Sequence, residues 1–126
     1  MPRFSYDDQL TTDQPMQSCA TALRAAMQAL GATLDSAGGT DMEAEMGTQA
    51  FRIIGGILSS ADMLPVQIHG HVEDMGAQRV IYLQVAENMG MGLMFGMETK
   101  YRQHCQEVLA QLKSQLAAQL GTTAPA

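Results

Sequence analysis

Pro65-Val66-Gln67-Ile68-His69-Gly70-His71-Val72-Glu73-Asp74 and Ala77-Gln78-Arg79-Val80-Ile81-Tyr82-Leu83-Gln84-Val85-Ala86-Glu87-Asn88 flank the dipeptide Met75-Gly76. Both runs alternate apolar with polar residues and are rich in β-branched and aromatic side chains, the signature of half-buried strands. Two such runs around a glycine-containing turn form an antiparallel hairpin. Pairing Glu73 with Gln78 sets Ile68 opposite Leu83 and Val66 opposite Val85 on the inner face. The outer face then carries Gln67 opposite Gln84, His69 opposite Tyr82 and His71 opposite Val80.

Upstream, Ala32–Ser36 and Thr40–Gly47 alternate around Ala37-Gly38-Gly39. A three-residue loop with a left-handed glycine would pair Leu34 with Met42 and Ala32 with Ala44, gathering the apolar residues on one face. A two-residue loop would set Leu34 opposite Glu43 and is rejected, because a one-residue slip turns the apolar set to solvent. Residues 3–11 form a short edge strand in this reading, making a sheet of four strands, or five with this edge. Gln49–Ile54 is read as a prolongation of the second strand, broken at Gly55-Gly56, and Ile57–Leu64 fits a helical turn or a loop.

Two helices complete the pattern. From Gln14 to Leu30, Met16, Cys19, Ala20, Leu23, Met27 and Leu30 recur at helical spacing, with Thr12 or Asp13 as cap, Pro15 in the first turn and Gly31 just past the end. From Met97 to Leu120, Tyr101, Cys105, Val108, Leu109, Leu112, Leu116 and Leu120 make one apolar stripe. An antiparallel sheet with one apolar face needs cover, and two amphipathic helices supply it. The expected fold is α+β, a two-layer sandwich with an N-terminal and a long C-terminal helix on one face of the sheet. This layout resembles in architecture half of a helix-grip fold, the lipid- and polyketide-binding type. Residues 1–120 are expected to form one domain, with 121–126 as a disordered tail.

Composition narrows the function classes. Of 126 residues, 46% are hydrophobic and 16% charged, an ordinary globular balance. The net charge is −6, and the basic residues Arg3, Arg24, Arg52, Arg79, Lys100, Arg102 and Lys113 are scattered singly. Nucleic acids and anionic membranes select concentrated positive surface, so neither is an expected partner. No apolar run approaches the ~20 residues a transmembrane helix needs. The acidic start lacks the apolar core of a signal peptide, so a cytoplasmic location is expected. Cys19 and Cys105 fall on the apolar sides of the two helices and read as small buried hydrophobes.

Four patterns invite a chemical reading. His69 and His71 lie two apart on one strand, so both imidazoles point the same way, as in chelating pairs. Glu43, Glu45 and Glu73 have the parity to share that face, but spacing fixes no third ligand, and no metal or other cofactor is expected. Met89, Met91, Met94 and Met97 have the spacing of soft copper ligands, yet eleven methionines in the chain make a packing role the simpler account. His104 and Cys105 are helical neighbours about 100° apart, with His104 off the apolar stripe, and do not face each other. The glycines of the 90–96 segment lack the Lys-Ser/Thr of a phosphate loop. No catalytic constellation emerges.

The expected function is a non-catalytic binding or protein-interaction module that self-associates as a homodimer. Its partner surface would comprise the 89–95 segment, with Met91, Leu93, Met94 and Phe95, together with Val80 and Tyr82 on the sheet. The alternative is a carrier of a small apolar ligand, bound between sheet and C-terminal helix among Met42, Met46, Ile68, Leu83 and Tyr101. Ala44 and Gly70 would leave room there.

Overall fold

The structure, a computed structural model, describes residues 5–38, 40–46, 65–87 and 98–121. The elements run β1 (Ser5–Thr12), α1 (Met16–Ala29), β2 (Thr33–Gly38), β3 (Asp41–Met46), β4 (Val66–Asp74), β5 (Arg79–Glu87) and α2 (Glu98–Leu120). The strands form one five-stranded antiparallel sheet in the order β1-β5-β4-β3-β2. The residues expected to make an edge strand do so: β1 lies along β5 from Ser5↔Ala86 to Thr12↔Arg79.

The alternation that reads as strand places Val66, Ile68, Gly70 and Val72 of β4 and Ile81, Leu83 and Val85 of β5 on the inner face, all of them buried. Leu10, Met42 and Ala44 join them from β1 and β3. Helix α1 closes this face with Cys19, Ala22, Leu23, Ala26 and Met27. Helix α2 closes it with the whole expected stripe, Tyr101 through Leu120. The helices also pack on each other, so the core is the single layer between them and the sheet. Deep in it the Tyr101 hydroxyl donates to the Pro65 carbonyl, which satisfies a polar group that burial would otherwise penalise.

Local signals decide the helix ends. Helix α1 starts at Met16 with Pro15 as its N-cap residue and without a side-chain cap, two residues later than Gln14. The expected cap Thr12 instead accepts a hydrogen bond from the Gln14 N–H at 3.2 Å, turning the chain just before the helix. At the other end Gly31 takes φ 81°, with Gly31 N–H on Gln28 and Ala32 N–H on Met27, the paired bonds that stop a helix in a left-handed residue.

Two registers differ from the sequence reading. In the β4–β5 hairpin the last pair is Asp74↔Arg79, so Glu73 faces Val80 rather than Gln78, and Ile68 faces Val85 rather than Leu83. Four residues, 75–78, make the loop. Gly76 at φ 93° turns it, its N–H donates to Asp74 Oδ1 at 3.0 Å, and Met75 N–H bonds the Gln78 carbonyl at 2.8 Å. A shift of two leaves every side chain on its expected face and changes only its neighbours. In the first hairpin β2 continues through Ala37 and Gly38, and Leu34 pairs with Ala44 rather than Met42. The register shifts between Leu34 and Ser36, an extra residue that restores Leu34 to the inner side despite the shorter turn. The readings of residues 49–64 lie outside the described residues.

Candidate functional site

Among the described residues, the helices cover one face of the sheet and leave the other open. Strand positions of outward parity there are Ser5, Asp7, Gln9 and Thr11 on β1, Val80, Tyr82, Gln84 and Ala86 on β5, Gln67, His69, His71 and Glu73 on β4, and Asp41, Glu43 and Glu45 on β3. Five of these are carboxylates and none is Lys or Arg. A groove of about 670 Å³ runs over this face, lined by Asp7, Asp8, Gln9, His69, His71, Tyr82, Leu83 and Gln84.

A cross-strand cluster borders the groove on its β4 side. The register Asp41↔His71 and Glu43↔His69 brings the end of β3 against the two histidines of β4. Asp41 Oδ1 lies 2.9 Å from His69 Nε2 and 3.2 Å from His71 Nδ1. A carboxylate only accepts, so both ring nitrogens donate, which fixes the proton of His69 on Nε2 and that of His71 on Nδ1. His71 also lies against its cross-strand partner Tyr82, ring centroids 6.3 Å apart and planes inclined by 21°. The hydrogen bond from His69, helped by the nearby imidazoles, holds the Asp41 carboxyl below its ordinary value, against a smaller desolvation effect that raises it.

This arrangement sets a pH dependence with a definite sign. A carboxyl whose folded pKa is depressed favours the folded state above the unfolded pKa, and that contribution disappears as pH falls through the folded value. The window therefore lies below about pH 4. Carbon-detected NMR titration is expected to place Asp41 below an ordinary aspartate, and His69→Ala to move it back up. An unchanged Asp41 titration in that variant would show that the hydrogen bond does not hold it.

The expected site residues fare differently. Tyr82 is exposed on the open face, at 38%. Val80 shares the face, but between Thr11 and Glu73 it is only 8% exposed, so it offers little surface to a partner. Met91, Leu93, Met94 and Phe95 lie outside the described residues, as do the other members of the methionine set. Glu43 does lie beside His69, whereas the residue that contacts both histidines is Asp41, which the sequence reading passed over. Its signal was available: it has the parity of Glu43 and Glu45.

Among the residues expected to line an internal apolar pocket, Met42, Ile68, Leu83 and Tyr101 are at most 1% exposed and Met46 is partly buried. The space above Gly70 is taken: a Cβ added there would lie 2.6 Å from Leu23 Cδ2.

His104 is not on the solvent side. At 8% exposure it flanks the stripe, one turn from Tyr101 and from Val108. Cys105 beside it is a protonated thiol, since burial, reinforced by the charge of Glu87, pushes its pKa up to about 12. Burial raises Cys19 as well, against the opposing charge of Arg79. Both cysteines are free. At its pKa of about 12, Cys105 is thiolate in roughly one molecule in 10⁴ at pH 8. Native protein is therefore expected to react with a thiol-specific disulfide reagent orders of magnitude more slowly than protein in guanidinium, where both thiols titrate. Rapid native labelling would contradict the burial of these residues.

Comparison with known proteins adds little to this geometry. No family model matches the chain, and no curated protein does. Among solved structures it is similar to the crystal structure of Ara h 8.0201, with 10% identity, 91% of this chain and 98% of that chain covered, and a TM-score of 0.44. Among the described residues no helix is long and apolar enough to cross a membrane.

Proposed function

We propose that this protein is a non-catalytic binding module whose working surface is the open face of the sheet, and that its partner there is a cationic polypeptide segment. The observation that carries this reading is the charge of the face: Asp7, Asp41, Glu43, Glu45 and Glu73 without one Lys or Arg among its described strand positions. Complementary charge steers encounter and selects partners, while like charge rejects them. The groove adds shape, and Tyr82 supplies an aromatic face on which a guanidinium or ammonium can rest.

Binding of a fluorescent Lys/Arg-rich peptide, followed by anisotropy, tests this. Affinity is expected to fall steeply between 50 and 200 mM salt, as roughly follows from Debye screening. It should drop about tenfold in Asp7→Asn with Glu43→Gln, each lost charge contact contributing a few tenths to ~1 kcal/mol at an exposed site. Equal binding of a matched acidic peptide would end the reading.

Self-association rests on the sequence of the 89–95 segment. Sedimentation at micromolar concentration is expected to give a dimer that Leu93→Ser with Phe95→Ser weakens, and a clean monomer removes it. The open face is a poor self-interface, because two copies would bring carboxylates together. An apolar carrier is the alternative. Its expected pocket residues are packed and Leu23 fills the space over Gly70, so a ligand would have to displace core side chains to enter.

A further inference from the structure

We infer that Asp41, His69 and His71 form a site for a divalent transition metal on the open face of the sheet. This inference stands apart from the peptide reading, since it rests on the convergence of three donors rather than on the charge of the face. The sequence supplies only an imidazole pair, two residues apart on β4. The register of β3 against β4 supplies the missing third donor, from a position 28 and 30 residues away along the chain.

Both imidazoles aim at one point. His69 Nε2 and His71 Nδ1 approach the same carboxylate oxygen, at 2.9 and 3.2 Å. In a tetrahedral zinc site with bonds of 2.0–2.1 Å, neighbouring donor atoms lie about 3.3 Å apart, close to the two distances from the Asp41 oxygen to the imidazole nitrogens. As the side chains sit, the donors bond one another, and among the described residues no group of three or more His, Cys, Asp or Glu is placed to hold a metal ion. Asp41 is the member that must yield. Its side chain is 60% exposed, so the carboxylate can turn aside and ligate from a neighbouring position.

The proton inventory closes without another reagent. Neutral His69 moves its proton from Nε2 to Nδ1, neutral His71 from Nδ1 to Nε2, and the freed lone pairs take the ion beside the Asp41 carboxylate. Glu43, cross-strand from His69, is the nearest further carboxylate by register, and water fills what remains. Two imidazole nitrogens and a carboxylate suit zinc, nickel or copper(II) rather than calcium or magnesium. All three donors are exposed on rigid strands, so replacing them leaves the core intact.

Isothermal titration of the full chain with zinc chloride at pH 7.5 tests the site. One equivalent is expected to bind, with histidine ring signals of His69 and His71 shifting and that of His104 unmoved. His69→Ala or His71→Ala should weaken binding at least 30-fold, and Asp41→Asn about tenfold. Binding should weaken as pH falls, because protons compete with the ion for its donors. Absence of heat and of ring shifts at millimolar zinc overturns the inference. So does binding that survives the double change of His69 and His71 to alanine, which would put the ion elsewhere. Peptide binding that persists while zinc fails would separate this outcome from that of the proposed function.

Discussion

Leu23→Ala is expected to destabilise the protein by about 2–5 kcal/mol, the range for a buried leucine truncated in a core that cannot fully collapse. Leu23 has no exposed surface, and it fits the slot that Gly70 leaves in the middle of β4. The two positions are halves of one contact. Gly70→Ala would put a Cβ 2.6 Å from Leu23 Cδ2 and 3.0 Å from Cδ1, closer than such atoms approach. The end of the leucine must move, at a cost of about 1–3 kcal/mol for overpacking. With alanine at position 23 the same Cβ meets the space left by the lost leucine. Gly70→Ala should then cost little in that background, and urea denaturation of the four-member cycle should give a favourable coupling of about 1 kcal/mol or more. Additive effects would show that α1 does not seat on β4 in this way.

Arg79→Met is expected to cost about 2–3 kcal/mol, more than any exposed ion pair supplies, because the guanidinium works on backbone rather than on charge. Its Nε and Nη2 donate at 2.8 Å to the carbonyls of Gln14 and Asp13, and its Nη1 reaches the Gly76 carbonyl at 3.2 Å and Asp74 at 3.4 Å. One side chain thereby joins the β4–β5 turn to the link between β1 and α1. Three carbonyls lose the arginine as a donor in the variant, and among the described residues only that of Gln14 keeps another, the Cys19 thiol at 3.6 Å. Arg79→Lys should recover only part of the loss, since an ammonium lacks the planar fork that meets two carbonyls at once. Chemical denaturation measures both changes. A loss below about 0.5 kcal/mol in Arg79→Met, the usual scatter of surface substitutions, would mean that solvent replaces the clamp.

Much of this architecture is legible in the chain because it depends on parity and spacing. Alternation from Val66 to Val85 assigns faces whatever the register, and the 3.6-residue spacing from Tyr101 to Leu120 assigns the buried side of α2. What is not legible depends on one-residue details of the turns. The four-residue loop at 75–78 and the extra residue between Leu34 and Ser36 both conserve burial, so hydrophobic pattern alone is blind to them. The cluster on the open face inherits that blindness. His69 and His71 announce themselves, but Asp41 joins them only through the pairing of β3 with β4, which no local signal encodes. Likewise His104 reads as a polar residue off the stripe, yet it is only 8% exposed.

The strand order has a consequence for the order in which the molecule can be made. Hairpins β2–β3 and β4–β5 join neighbours in the chain and can form as each is synthesised, whereas among the described strands β1 has a single partner, β5, the one furthest from it along the chain. Of the described elements, β1 and the helix behind it are therefore synthesised before the rest and wait longest for their partners. Such distant pairing closes a large loop and belongs with slow folding, in milliseconds to seconds rather than microseconds. A nascent chain stopped short of Arg79 carries β1 unpaired and β4 with one bare edge, two sticky strands on one tether, so synthesis pauses in that interval are when this protein is most exposed to aggregation.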